Sequence, residues 1–417
     1  MSRATDAVEG LVDWMQPDPG TARQTIRRAL SAVRQHFGME VAFVSRFADG
    51  RAYFRDVEAP ATEAVVCPGA SVDLDQVYCR HVFEGRLPGV IPDTSAEPLA
   101  AALPITAAGP IGAYMSVPIW LPDGSHYGMF CCFRADPDPS LNDRDLRMMK
   151  VFAEIAGFEI SRDLEAEREA TAKRERIGRL IAEGRLSVVY QPIWDVRELV
   201  PVGMECLTRF SALPARSPDE WFAEAAETEL GSVLEIAALR NAFAGWGALP
   251  EHVYLAVNAS PKTVLGDAFR EALDSVPVER LVLEITEHAP VEDYNLFLSA
   301  IQPLRRAGLR LAVDDAGAGY STLQHILNLS PDFIKLDMAL TRNIDRDPVR
   351  RALASALVAF ARDTGSTVVA EGVETESELA ALKTLGIDRA QGFFLARPMP
   401  LENAIGLFGA GRASASA

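Results

Sequence analysis

The chain has 417 residues, of which 48% are hydrophobic and 24% charged, and this ordinary globular composition excludes collagen-like, low-complexity and wholly disordered chains. At roughly 100–200 residues per domain, the length predicts two or three domains. Lys and Arg number 41 against 58 Asp and Glu, a net charge of -17; broad nucleic-acid binding needs a basic face, so no DNA partner is expected. A single anionic ligand held by metal ions or a few placed cations remains compatible with this charge.

Five cysteines stand at Cys67, Cys79, Cys131, Cys132 and Cys206. Their odd number and spacing fit no disulfide framework and no zinc motif, which predicts reduced thiols and a cytoplasmic setting. The first residues lack the apolar run of a leader peptide. The uncharged stretch from Pro98 to Pro122 carries Pro104, Pro110, Pro118, Gly109 and Gly112 between its ends. That density of breakers predicts a loop followed by a strand rather than a membrane span, and no membrane insertion is expected.

The first part, 1–158, opens with a helical pattern, TARQTIRRALSAVRQHFG, that stops at Gly38. The β-rich runs VAFVSRF, AYFRDV, YMSVPIW and YGMFCCFR follow, separated by ADG and PDG turn signals. LNDRDLRMMKVFAEIAGFEI then predicts a closing helix capped by Asn142 or Asp143. Helix, antiparallel strands and helix predict an α+β, sensor-like layer.

Residues 159–185 are rich in Glu, Arg and Ala without proline, which predicts a solvated helix. Ile160, Leu164, Ala170, Ile177 and Leu180 give it a weak apolar stripe, fitting either a plain connection or a parallel dimer helix. From 186 to 408, apolar strand runs alternate with amphipathic helices, the pattern of a TIM-type (β/α)8 barrel. The small, polar tail 409–417 is expected to be flexible.

Polar residues end the apolar runs of that barrel: Glu205, Asn258, Glu284, Asp314 with Asp315, Lys335, Glu371 and Gln391. In a parallel barrel they gather on one rim, where barrel active sites lie. Carboxylates and an amide without His or Cys make a hard-oxygen site suited to Mg²⁺ or Mn²⁺. Adjacent aspartates can bridge two such ions, and a lone lysine can orient water or stabilise charge. Each residue alone reads as a solvated strand end, a turn or a salt-bridge partner; the whole set points to a metal-dependent phosphoesterase.

The ordered segments YQPIWD, MECLTRF, VNAS, LEITE, VDDAGAGYSTL, FIKLD, VVAEGVET and QGFFLARPMP resemble the EAL family of cyclic di-GMP phosphodiesterases. The resemblance implies hydrolysis of one phosphodiester of cyclic di-GMP to linear pGpG, with two metal ions and a homodimer. It implies metal ligation by Glu205, Asn258, Glu284 and Asp314, with Asp314 and Asp315 sharing or positioning the second ion. Lys335 would orient the water, and Glu371 would act as base or hold water at the second ion. Gln191 and Arg209 would contact the dinucleotide, and Gln391 would support the water or the base. Glu287 and Glu374 would brace these groups, Glu287 through the loop after the aspartate pair.

Two departures stand out. Glu-Cys-Leu replaces the family's Glu-Ala-Leu, and strand alternation points Cys206 away from Glu205. Ala316 and Ala318 replace a phenylalanine and a threonine in the loop retaining Gly317 and Gly319, which leaves open a catalytically weakened cyclic di-GMP receptor or, less economically, a scaffold. No cyclase motif is present, so no synthesis of the dinucleotide is expected.

The first part resembles a GAF domain on the runs QVYCRHVFEGRLPGVIPDT, IGAYMSVPI and GMFCCF, implying a small-ligand sensor of unknown ligand that regulates the barrel. Arg80 separates Cys79 from His81, unlike the adjacent Cys-His of bilin-binding relatives, so both read as core or pocket-wall residues. Cys131 and Cys132 are expected to face opposite sides of a strand, one of them buried.

Overall fold

The computed structural model describes residues 22–59, 66–274, 276–285, 291, 293–316 and 320–409. The chain divides into two compact units, residues 1–169 and 170–417.

In the first unit, helix α1 (Ala22–His36) precedes a sheet of six strands. These are β1 (Val41–Ala48), β2 (Arg51–Glu58), β3 (Ser71–Asp73), β4 (Val90–Ile91), β5 (Ala113–Trp120) and β6 (His126–Arg134), in the order β3-β2-β1-β6-β5-β4. All neighbours are antiparallel. The helix α1 ends as its sequence predicts, with Gly38 in the left-handed region at φ 62°. Both sheet faces are covered, so the central strands are apolar on both sides. Ile26, Leu30, Val33, Val44, Met115, Phe130 and Cys132 share one core with Met149, Phe152 and Ala156. Phe43, Phe54, Cys79, Tyr114, Cys131 and Phe133 share the other.

Cys131 and Cys132 thus face opposite cores, but both are fully buried, because both faces are covered. The 98–122 stretch also differs from expectation. It forms two short helices, α2 (Tyr78–Phe83) being followed by α3 (Pro98–Ala102) and α4 (Pro104–Ala108), before strand β5 begins. Pro98 and Pro104 each sit in the first turn, where the missing N–H costs nothing.

Helix α5 runs from Asp143 to Ala182, and the Asn142 side chain accepts from the Arg144 N–H at 2.9 Å as its cap. Its early residues belong to the first unit's core; Ile177 and Leu180 pack with Trp221, Ala225 and Leu234 in the second.

The second unit is a closed eight-stranded barrel. Its strands are β7 (Leu186–Asp195), β8 (Pro201–Phe210), β9 (Tyr254–Asn258), β10 (Leu281–Ile285), β11 (Arg310–Ala316), β12 (Phe333–Leu336), β13 (Thr367–Ala370) and β14 (Arg389–Ala390). The expectation of strands all pointing one way is corrected: β7 is antiparallel to both β8 and β14. The cause is the short β7–β8 connection, which leaves no room for the crossover helix a parallel pair needs. Asp195 fixes that turn by accepting from the N–H groups of Arg197 and Glu198 at 2.8 and 2.9 Å.

Helices surround the barrel, and their ends follow local rules. Asp347 caps Pro348–Thr364, which stops at left-handed Gly365. Inside the barrel, Ile193, Tyr254, Ala256, Val282, Ala312, Phe333 and Val369 form a separate apolar layer. The Tyr254 and Phe333 rings stack 5.7 Å apart, and Arg310 and Arg389 lie over both. A Cβ at Gly203 would fall 2.3 Å from the Tyr254 ring, which those neighbours hold in place. Gly203→Ala is therefore expected to lower barrel stability by about 1–3 kcal/mol, measured by denaturant unfolding of the full chain with tryptophan fluorescence; an unchanged midpoint would refute this packing.

Candidate active site

Strand alternation carries the interior stripe from the apolar layer to a polar rim. Ala256 leads to Asn258, Val282 to Glu284, Ala312 to Asp314, Phe333 to Lys335, Val369 to Glu371 and Arg389 to Gln391. Register aligns them: Glu284 pairs with Asn258 on β9 and with Ala312 on β11, and Glu205 pairs with Gln191 on β7. Glu205, Glu284, Asp314, Lys335 and Gln391 are buried. Cys206 faces the opposite way, into the core between barrel and helices.

Lys335 stands at the centre. Its Nζ lies 3.3 Å from Glu205 Oε1, 3.0 Å from Glu284 Oε2, 3.0 Å from Asp314 Oδ2 and 2.7 Å from Glu371 Oε1. The Gln391 amide donates to Glu205 Oε2 and, at 3.3 Å, to Glu371 Oε1. Asn258 Nδ2 donates to Glu284 Oε2 at 3.2 Å. One ammonium thus faces four carboxylates.

The titration of these groups reflects that imbalance. Burial pulls the Lys335 ammonium down, but Asp314, Glu205, Glu284 and Glu371 outweigh it and hold it well above its ordinary value. Burial pushes the Glu284 and Glu371 carboxyls well up; Lys335 opposes this, while neighbouring carboxylates reinforce it. Four carboxyl groups share one ammonium, and the upward push on Glu284 and Glu371 marks a cluster short of positive charge, with the hard oxygen donors to receive divalent cations. Among the described residues, Glu205, Asp314 and Glu371 form a group whose donor oxygens lie within 4.8 Å of one another. The buried Gln391 Oε1 has no hydrogen-bond partner and offers one more oxygen.

Other sequence-predicted residues are less tightly gathered. Gln191 is buried and donates to the Ala396 carbonyl at 3.3 Å. Arg209 lies two pleats beyond Glu205 on the same strand face, with Nη1 on the Thr208 carbonyl at 2.9 Å. Glu374 pairs with Arg342 rather than with the carboxylate cluster. Glu287, Gly317, Ala318 and Gly319 lie outside the described residues, as does the side chain of Asp315. Ala316 is buried in the barrel core and pairs with Leu336.

Two loop braces escaped the sequence reading. Glu378 is buried and accepts from the N–H groups of Asn343 and Glu374 at 2.9 Å and of Thr375 at 3.1 Å. Burial raises its carboxyl, but these donors outweigh it and leave it below the ordinary value. The Thr375–Glu378 spacing is a capping box, legible as Thr-x-x-Glu. Glu235 Oε2 accepts from Ser260 N and Oγ at 2.8 and 2.9 Å, bracing the loop after Asn258; no local motif announces it.

Residues 174–398 match the EAL domain family and residues 21–160 match the GAF domain. The cyclic di-GMP phosphodiesterase PA2567 of Pseudomonas aeruginosa is 32% identical over 223 residues, covering 51% of this chain and 38% of that protein. The cyclic di-GMP phosphodiesterase PdeR of Escherichia coli is 38% identical over 152 residues, covering 35% of this chain and 23% of that protein. The chain spans less than half the length of the curated relatives it matches, 28% and 30% of two others. The EAL enzyme Bd1971, solved with cAMP and cyclic di-GMP, covers 88% of this chain and 93% of its own at 16% identity and a TM-score of 0.54, a likeness of fold. With the EAL match spanning more than half of its length, the chain belongs to the EAL domain family and carries a GAF domain ahead of it.

Proposed function

We propose that the barrel hydrolyses cyclic di-GMP to linear pGpG in a metal-dependent reaction. The observation that carries this reading is the buried Lys335 ammonium among Glu205, Glu284, Asp314 and Glu371, a cluster short of positive charge in a family whose named relatives are phosphodiesterases of that dinucleotide. Glu205, Asn258, Glu284, Asp314 and Asp315 would hold Mg²⁺ or Mn²⁺, and the cluster leaves Glu371 able to share that role. Bound there, such ions would lower the pKa of water and stabilise charge on the attacking and leaving oxygens.

The chain's own groups supply the rest. Lys335 presents N–H donors from a fixed, water-poor position and orients the attacking water. Glu371, made more basic by burial, accepts its proton when ionised. Water oxygen then bonds to phosphorus, the bond from phosphorus to the 3′ oxygen breaks, and that oxygen takes up a proton from solvent to leave as a hydroxyl. Gln391 holds Glu371 and Glu205 in place. Arg209 offers a planar donor pair to a phosphate, and Gln191 contacts the dinucleotide beside Glu205. Glu287 and Glu374 would brace the surrounding loops.

The same reading takes residues 1–158 as a sensor, 159–185 as a connecting helix, 186–408 as the catalytic barrel and 409–417 as a tail. A small ligand at the GAF domain would regulate a homodimeric, cytoplasmic enzyme. Among the described residues no helix is long and apolar enough to cross a membrane.

Incubation of the full chain with cyclic di-GMP and Mg²⁺ or Mn²⁺, with products separated by chromatography, is expected to yield pGpG. Glu205→Ala should abolish it, and full turnover in that variant with unchanged metal stoichiometry would sink the site assignment. Binding without product in the unmodified chain would favour the weakened receptor. A chelator should stop turnover and added Mg²⁺ or Mn²⁺ should restore it; turnover persisting in metal-free protein would exclude metal dependence. Glu378→Ala should cut kcat roughly 10–100-fold, the usual effect of removing an outer supporting group, while circular dichroism stays native. Unaltered kcat would show that the loop after β13 needs no brace.

A further inference from the structure

The GAF domain contains a polar cluster that the barrel chemistry does not use. Cys79 lies on α2 and Cys131 on β6, and their sulfurs are 3.3 Å apart across the sheet face. The Tyr114 hydroxyl on β5 lies 3.1 Å from Cys79 Sγ and donates to Cys131 Sγ at 3.3 Å. All three residues are buried. A cavity of about 20 Å³, lined by Cys79 and Tyr114 together with Phe43, Tyr78 and Phe133, adjoins them; this is room for a water-sized molecule.

The two sulfurs are not equivalent. The hydrogen bond from Cys131 holds the Cys79 thiol below its ordinary value against its burial, with Tyr114 assisting. Burial pushes Cys131 well up. A thiolate is the nucleophilic form, and with the two sulfurs 3.3 Å apart whichever of them is oxidised has the other within reach. Cys132 and Cys206 lack this arrangement: burial raises both, and Cys132 faces the opposite core.

We infer that Cys79 and Cys131 form a redox-reactive dithiol site that hydrogen peroxide, or another small hydroperoxide, converts into a disulfide. The Cys79 thiolate attacks one peroxide oxygen, the O–O bond breaks, and the departing hydroxide takes up a proton to leave as water. Cys79 is then a sulfenic acid. Cys131 sulfur attacks Cys79 sulfur, the S–O bond breaks, and the leaving hydroxyl carries away the Cys131 proton as a second water. Two thiols lose two electrons in total, the peroxide gains them, and a thiol reductant reverses the change. The new bond ties α2 to a central strand and removes both sulfur partners from Tyr114 as thiols.

The test uses the reduced, folded full chain with a few-fold excess of hydrogen peroxide, followed by alkylation of remaining thiols and peptide mass mapping without reduction. The expected result is a peptide pair joined through Cys79 and Cys131, two hydrogens lighter than the separate peptides and released by dithiothreitol. Cys132→Ser should leave that pair intact. In Cys131→Ser, a dimedone adduct should accumulate on Cys79 in its place. Cys79 and Cys131 alkylated in full, or cross-links that join Cys67 or Cys132 in their stead, would overturn the assignment; the unmodified chain alone decides this, so a variant that fails to fold costs nothing.

Discussion

The Lys335 ammonium, buried among Glu205, Glu284, Asp314 and Glu371, is the interaction on which the barrel's rim depends. Like charges at hydrogen-bond distance from a common point repel strongly where water is excluded. Without the ammonium the carboxylates could stay together only by taking up protons. With it they remain gathered, yet still short of positive charge. The apolar layer beneath, closed by Tyr254 and Phe333, keeps water from entering the cluster from the barrel's other end. The fold therefore maintains a cation-seeking site through the balance of one lysine, a dry floor and several strand ends.

The reversal of β7 adds a constraint that a uniformly parallel barrel would lack. Because β7 and β8 form a hairpin, Gln191 is placed directly opposite Glu205. The final strand, β14, is only two residues long, and Gln391 directly after it reaches both Glu205 and Glu371. An amide that donates to two carboxylates lowers their mutual repulsion without spending a charge, which leaves the negative excess available to a metal.

Much of this was legible because period-two alternation and strand-end polarity are local signals. They place Glu205, Glu284, Asp314, Lys335, Glu371 and Gln391 on one rim and turn Cys206 outward, and the structure brings those residues together. What local pattern cannot supply is strand direction, which follows from the length of the β7–β8 connection, or the packing of a second layer on the GAF sheet. That layer buries Cys131 and Cys132 alike and turns the proline-rich stretch into α3 and α4. The brace from Glu235 to Ser260 joins residues from different elements, and nothing in either segment's sequence signals it. Glu378, by contrast, carried its own capping-box signal.

The carboxylate cluster of the barrel and the cysteine–tyrosine cluster of the GAF domain differ in the kind of reaction they permit. The barrel cluster is over-supplied with negative charge, so its natural response is to recruit cations and to move protons at Glu371. The Cys79–Tyr114–Cys131 cluster holds no carboxylate, and each sulfur already has a hydrogen-bond partner. It has no electrostatic reason to gather a hard metal ion. Proximity of two soft nucleophiles instead suits electron-pair chemistry between the sulfurs, for which an adjacent sulfur resolves the first oxidation product before further oxygen can add. A thiol that burial pushes well up, as it does Cys132, lacks the ionised form. The distinction between Cys131 and Cys132, adjacent in sequence, thus comes entirely from which face of one strand each side chain occupies.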